Sequence, residues 1–391
     1  MEHPKRTFPA AVVVVAGLVG LAAAMGIGRF AFTPLLPLMQ GEFGLSLAQG
    51  AWLASVNYLG YLLGAIISFA AAPRPRDAAR WGLLLVALTT LAMVWTTSYA
   101  AWAVLRLVAG AASAFALVGV SGWTLARLTA AGRGELAGGV FAGVGIGMVL
   151  AGLVTLGVGA IGQGSKAAWL VLGVIAAGIA VLTWRPFAAP EPALRAPAIT
   201  TTPRLDASAW VLVVSYGIFG LGYIVTATFL PAIARSVVAD PAVFGWAWPL
   251  FGGAAAASTV AVTKLWPRAS PRSVAAVAQC VMAAGVLAPA LHMSLATIVI
   301  SALCVGGTFM VVTMAGLQEA RRISSGSPTR LMSGMTAAFA IGQLAGPVLV
   351  GAGSTAAAAI VGPSLVAAAL LIVSALALVL GPTPRAIPAP T

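Results

Sequence analysis

The sequence predicts an all-α integral membrane protein. Its twelve transmembrane helices form two six-helix bundles related by pseudo-two-fold symmetry. Three observations predict this. The chain is 61% hydrophobic and only 7% charged, with a mean hydropathy of +1.03. A soluble domain carries about 25% charged residues, so lipid rather than water must solvate most of this surface. Apolar runs of about 20 residues, the length that crosses a bilayer, recur from one end of the chain to the other. The chain also repeats itself at an offset of roughly 194 residues. Gly26-Ile27-Gly28-Arg29 falls on Gly220-Leu221-Gly222-Tyr223, Pro37 on Pro231, Trp52 on Trp246, Phe115 on Phe309, and Ala126-Arg127 on Ala320-Arg321. No single match is significant, and the common offset carries the inference.

The spans are read, in order, at 10–38, 47–71, 79–98, 100–126, 136–161, 167–184, 209–232, 243–264, 273–292, 294–318, 331–354 and 360–381. The first follows Lys5-Arg6, and its apolar run is too long for a cleavable signal, so it is a retained span. Most connections are short, as antiparallel neighbours require. The exception is 185–208, which holds Pro186, Pro190, Pro192, Pro197 and Pro203 and the run Thr200-Thr201-Thr202. It is read as a polar linker without regular structure. The division is therefore a bundle over 1–184, a cytoplasmic linker over 185–208, and a bundle with a short tail over 209–391. The 45 glycines suit close helix–helix approach, because packing drives helix association in a membrane.

Charge orients the chain. With the N-terminus in the cytoplasm, nearly all basic residues outside the spans fall at the inner face, from Lys5 and Arg6 through Arg74, Arg133 and Arg268 to Arg385. Lys166 and Arg235 fall outside. This positive-inside bias accounts for the net charge of +13, so a nucleic-acid partner is not expected. Cys280 and Cys304 lie in apolar stretches without a CxxC or a histidine partner, so no disulfide or metal site is expected. No Walker-type loop or haem ligand pair appears, and no cofactor is expected. Gly143-x-Gly145-x-Gly147 follows no strand and fails the context test for a dinucleotide loop.

Two basic residues remain, Arg29 and Arg106, both inside spans. Such residues usually face a bundle interior or a watery cavity. The run of span 1 outward and span 4 inward places both in the outer half, at a depth shared with Asn57. No acid matches them: Glu2, Glu42, Asp77, Glu135, Glu191, Asp206, Asp240 and Glu319 all fall in loops or at span edges on these boundaries. A buried arginine without a counter-ion must be solvated by carbonyls, water or a bound anion. Pro34 and Pro37 lack an N–H and free the carbonyls of Phe30 and Thr33. Arg29 therefore reads either as a lock on those carbonyls or as a bidentate clamp for a substrate anion. Arg106 reads as structural or coupling before direct ligation.

At these residues the chain resembles the major facilitator superfamily over essentially its whole length. Leu105-Arg106-Leu107-Val108-Ala109-Gly110 is similar to the fourth-helix motif, an arginine with glycine four residues on. GIGRFAFTPLLPLM at 26–39, NYLGYLLG at 57–64 and FAIGQLAGP at 339–347 resemble the YbfB-like branch of MFS-type transporters. The resemblance implies two bundles, alternating access, and a cavity lined by helices 1, 4, 7 and 10. The sequence departs from the family between helices 2 and 3, where Gly-x-x-x-Asp-Arg-x-Gly-Arg is replaced by AAPRPRDAAR at 71–80. That leaves Asp77 out of its usual place and the inner charge lock in doubt. Arg133 with Glu135, and Glu319 with Arg321 and Arg322, are the replacement gating pairs, read against plain charge at helix ends.

The remaining candidates for substrate contact are Asn57 and Tyr61, spaced i, i+4 on one face, Tyr223 at the repeat position of Arg29, and Gln343 in the eleventh span. Tyr58 points elsewhere on this spacing. Trp52 and Trp246 read as interfacial anchors. The expected function is secondary active transport of a small solute, best an organic anion held by membrane-embedded arginine. The competing function is efflux of neutral or cationic amphiphiles. An enzyme or receptor is not expected, since the spans carry no catalytic constellation. The expected partners are the bilayer of a bacterial inner membrane and a small, anionic molecule, and the expected state is a monomer. Without a mid-membrane carboxylate, anion exchange, facilitated diffusion and protonation of the substrate all stand as coupling modes. Direction follows the gradient.

Overall fold

The structure is a computed structural model. It describes residues 8–190, 206–237, 245–324, 328–349 and 356–382. The described residues form twelve long helices. These are α1 (Ala10–Phe43), α2 (Leu47–Ala71), α3 (Pro75–Ala92), α4 (Tyr99–Ala130), α5 (Ala137–Ala160) and α6 (Ser165–Ala188). The second set comprises α7 (Ala207–Val237), α8 (Ala247–Leu265), α9 (Pro271–Leu291), α10 (Leu295–Ile323), α11 (Pro328–Leu349) and α12 (Ala356–Leu380). Among the described residues, ten of these helices are by themselves long and apolar enough to cross a membrane. Large apolar side chains such as Leu182, Val181 and Leu291 are exposed on the outside of the bundle, as a lipid-facing surface requires. Residues 191–205 of the expected linker and the tail beyond Pro382 lie outside the described residues, as do Glu2, His3, Lys5, Arg6, Glu191 and Asp240. So do the side chains of Pro231 and Arg235.

Local chemistry sets the helix starts. Ser46 and Ser294 form capping boxes with Gln49 and Thr297. Pro75 and Pro271 sit at the starts of α3 and α9, where a missing N–H costs nothing. Glu42, at the far end of α1, accepts from the backbone N–H of Ser165 and, at 2.5 Å, from its hydroxyl. It thereby ties α1 to the N-terminus of α6, where a carboxylate is favoured.

The packing repeats by helix number. In the first half α3 packs on α4 and α6, α2 on α4, and α1 on α5. In the second half α9 packs on α10 and α12, α8 on α10, and α7 on α11. Adding six to each number turns one set into the other. The two seams between halves, α5 on α8 and α2 on α11, are exchanged by the same operation.

Several sequence boundaries move by about a turn: α1 runs on to Phe43, α3 lies earlier at Pro75–Ala92, and α7 runs on to Val237. Helix α4 runs on through Arg127, α6 runs through Pro186 to Ala188, and α10 runs on to Ile323. The last is a correction with consequences. Glu319 lies within a helix and is buried, not at a span edge. Charges at the end of α10 lower the apolar signal, yet the Glu319–Arg322 pair at i, i+3 sustains the helix there.

Candidate functional site

Helix α1 is not a uniform α-helix. Ala10–Leu21 passes into a π-helical segment, Ala22–Ile27, then a turn, then Phe32–Phe43. The i→i−5 bonds Gly28 N→Ala23 O and Phe30 N→Met25 O, both 2.9 Å, mark the widening. Pro34 has no N–H for the Phe30 carbonyl, and Thr33 N takes that carbonyl instead, at 3.3 Å. The Arg29 carbonyl is then left open to another donor. π-Helical segments of this kind concentrate at functional sites.

Arg106 fills the gap. Its Nη2 donates to the Arg29 carbonyl at 3.0 Å and its Nη1 to the Gly28 carbonyl at 3.3 Å. Its guanidinium also rests on the Phe32 ring, 4.8 Å from the centroid. The sequence reading expected the freed carbonyls to be those of Phe30 and Thr33, with Arg29 as their guest. The register shift through the π-segment moves them to Gly28 and Arg29, and the guest comes from α4. Asn57 on α2 completes this layer, its Nδ2 donating to the Arg106 carbonyl at 2.8 Å. That contact requires α2 and α4 to touch backbone to backbone. A Cβ on Gly110 would strike the Asn57 carbonyl, and one on Gly60 the Leu107 carbonyl. The glycine four residues after Arg106 is thus what brings Asn57 to its partner.

Arg29 is solvated differently. Only 2% of it is exposed. Its Nη2 donates to Oε1 of Gln343, on α11 in the other half. Its Nε and Nη1 meet no acceptor among the described residues. Rings cover the rest. The guanidinium carbon lies 3.9 Å from the Tyr61 centroid, 5.3 Å from that of Phe30, and 5.5 Å from those of Tyr58 and Phe339. Desolvated cation–π contacts of this kind stabilise by about 2 kcal/mol. Every carboxylate among the described residues is engaged elsewhere: Glu42 with Ser165, Asp77 with Arg76, Glu135 with Arg133, Asp206 with the backbone N–H of Ala209, and Glu319 with Arg322.

Tyr223 stands beside this site at the repeat position of Arg29. It stacks on Phe309 with ring centroids 5.1 Å apart and meets Phe30 edge-on at 6.5 Å. Phe30, from the first half, therefore inserts into an aromatic wall of the second. So Arg29, Asn57, Tyr61, Arg106, Tyr223 and Gln343 do converge. Sequence reasoning missed Tyr58 and Phe339. Phe339 is signalled by its i, i+4 spacing from Gln343, which puts both on one face of α11. Tyr58 faces Arg29 rather than pointing away, because it stands i, i+3 from Tyr61 and so shares its face of α2.

Two of the charged pairs near the basic end stay local, and the third draws in a neighbouring helix. Asp77 lies 3.7 Å from its neighbour Arg76 in the first turn of α3. Arg133 and Glu135 pair at 2.6 Å within one exposed turn. Glu319 is bonded by Arg322 at 2.7 and 2.8 Å and approached by Arg272 of α9 at 3.9 Å. Arg272 takes the place expected for Arg321, because the first turn of α9 packs against the end of α10. At the same end the halves meet through Ser333 and Ser68, whose hydroxyls are 2.9 Å apart. Among the described residues no group of His, Cys, Asp and Glu has the arrangement to hold a metal ion.

Known proteins resemble this chain in sequence and in fold. The uncharacterized MFS-type transporter YceJ of Bacillus subtilis (strain 168) is 33% identical over 93 residues, which is 23% of this chain and 24% of that relative. The match thus spans about a quarter of that relative's length. Among solved structures, the major facilitator superfamily transporter FucP in its outward conformation aligns with a TM-score of 0.69 at 15% identity, covering 95% of this chain and 99% of that one. The human organic anion transporter MFSD10 (TETRAN) aligns with a TM-score of 0.69 at 15% identity, covering 96% and 100%. At that identity the likeness is one of fold. The family model described as the uncharacterised MFS-type transporter YbfB matches residues 21–379, from inside α1 to the last turns of α12, and this chain belongs to that family.

Proposed function

We propose that this MFS-type transporter carries a small organic anion by alternating access, with Arg29 as the contact for its charge. One observation carries the reading. Among the described residues, a buried guanidinium at the meeting of the two halves has two donors without acceptors and no carboxylate to balance it. A bound carboxylate satisfies both needs at once, and a charge-assisted bond to guanidinium is about twice as strong as a neutral one. Arg106 and Asn57 hold the broken segment of α1 that presents Arg29. The cycle follows from the energetics. Without cargo, the buried charge lacks a partner; with cargo, the pair is neutral and the closed state is favoured. The halves then rock and open on the opposite face. The basic end is the cytoplasmic one by the positive-inside rule, with both termini there, and the transporter works as a monomer. That a relative in fold is called an organic anion transporter is compatible with this reading.

A thermal-shift screen of the purified protein against organic anions, cations and neutral amphiphiles tests it, with Arg29→Ala run alongside. A ligand at 100 times its Kd stabilises by about 2.7 kcal/mol. Stabilisation by anions that vanishes in Arg29→Ala is the expected result. Stabilisation by cationic or neutral amphiphiles that persists in Arg29→Ala makes Arg29 a tie between helices and favours the efflux reading.

A further inference from the structure

The surroundings of Arg29 say more than that its ligand is an anion. What they add rests on the reading just given and narrows it. Gln343 brings an amide oxygen to the guanidinium from the other half. That oxygen is a neutral counterpart of a carboxylate oxygen, on the same donor. The amide is poorly served there, since its own Nε2 meets no acceptor among the described residues. A carboxylate outcompetes it, because charge strengthens the same bond. Displacement also breaks a hydrogen bond that joins α1 to α11, so loading and loosening of that contact are one event.

The walls define the rest of the ligand. Tyr61, Phe30, Tyr58 and Phe339 ring the guanidinium. Tyr223 and Phe309 continue the surface on the far side of Phe30. A flat aromatic body that enters among these rings would find stacked and edge-on partners from both halves. A second negative charge does not. Arg106 already gives both terminal nitrogens to carbonyls and keeps only its Nε without an acceptor among the described residues, and aromatic ring faces, negative by their quadrupole, repel added anionic charge. We infer that the cargo is a monoanion with an aromatic body, and that it loads by taking the place of the Gln343 amide oxygen on Arg29.

The test measures affinities of benzoate, acetate and phthalate for the full-length protein in nanodiscs by calorimetry, in the wild type, Gln343→Ala and Arg29→Ala. Benzoate should bind roughly tenfold tighter than acetate, as burial of one ring allows, and tighter than phthalate. Removing the internal competitor in Gln343→Ala should tighten benzoate about threefold or more. Gln343→Met, closer in volume, serves if the alanine variant does not fold. Acetate matching benzoate, or phthalate binding tightest, with Arg29→Ala still abolishing binding, overturns the aromatic monoanion and leaves the anion reading standing. Unchanged or weaker benzoate binding in the Gln343 variants overturns the displacement. Benzoate binding that survives Arg29→Ala, or no binding of any of the three, overturns this inference and the anion reading together.

Discussion

Arg29 and Arg106 share a layer and differ in what their donors reach. Arg106 spans two carbonyls that a broken turn of α1 leaves open, so its charge is solvated by backbone dipoles. Arg29 has one amide oxygen and a cage of rings. The distinction predicts different variants. Arg106→Lys keeps the charge but replaces a planar fork with a point donor. One buried carbonyl is then left open, at a cost of about 1–3 kcal/mol, and melting of the purified protein should fall by several degrees without any ligand present. Arg29→Lys should leave melting of the unloaded protein nearly unchanged and remove the anion-dependent shift. Both arginines were legible as outliers in apolar spans. Their roles were not, because a carbonyl freed by a π-segment leaves no mark in the residue types.

At the scale of elements, glycine decides how near two helices come. Gly60 and Gly110 let α2 and α4 touch through backbone atoms, and Gly145 and Gly252 do the same for α5 and α8. Both contacts leave nothing to rotate aside. Gly110→Leu should therefore exceed the usual 1–3 kcal/mol for overpacking, with little folded protein recovered by size-exclusion chromatography. Gly253→Leu is the matched control, since a Cβ there meets nothing within 4 Å, and its yield should equal that of the wild type. Helix identity and order were readable from apolar run length, and most ends fell within a few residues. The end of α10 was not, because Glu319, Arg321 and Arg322 read as a loop. The charge of Glu319 is neutralised by Arg322 within the helix and by Arg272 from α9. The pairing is a tertiary fact for Arg272 and a helical one for Arg322.

For the whole molecule, the two seams are related by symmetry but differ in chemistry. The α5–α8 seam is closed by glycine and small side chains along its length. The α2–α11 seam carries polar contacts, Ser68 with Ser333 at the basic end and, reached from α1, Arg29 with Gln343. Opening at the basic end must part the two serines. Ser68→Cys with Ser333→Cys, in a background with Cys280→Ser and Cys304→Ser, should cross-link under oxidant and stop uptake into proteoliposomes, with reductant restoring it. Cross-linking that leaves uptake intact would show that the seam stays shut through the cycle. The sequence by itself determined the solvent, the number and order of helices, the two-fold repeat and the presence of two unbalanced arginines. Each follows from composition and spacing along one chain, which lipid burial and helix periodicity read directly. Only the tertiary structure decided which arginine reaches the freed carbonyls, that Gln343 crosses from the other half to Arg29, and that Tyr58 and Phe339 enclose it. Those outcomes depend on helix rotation and on a local change of helical register, and neither is encoded in the residues one at a time.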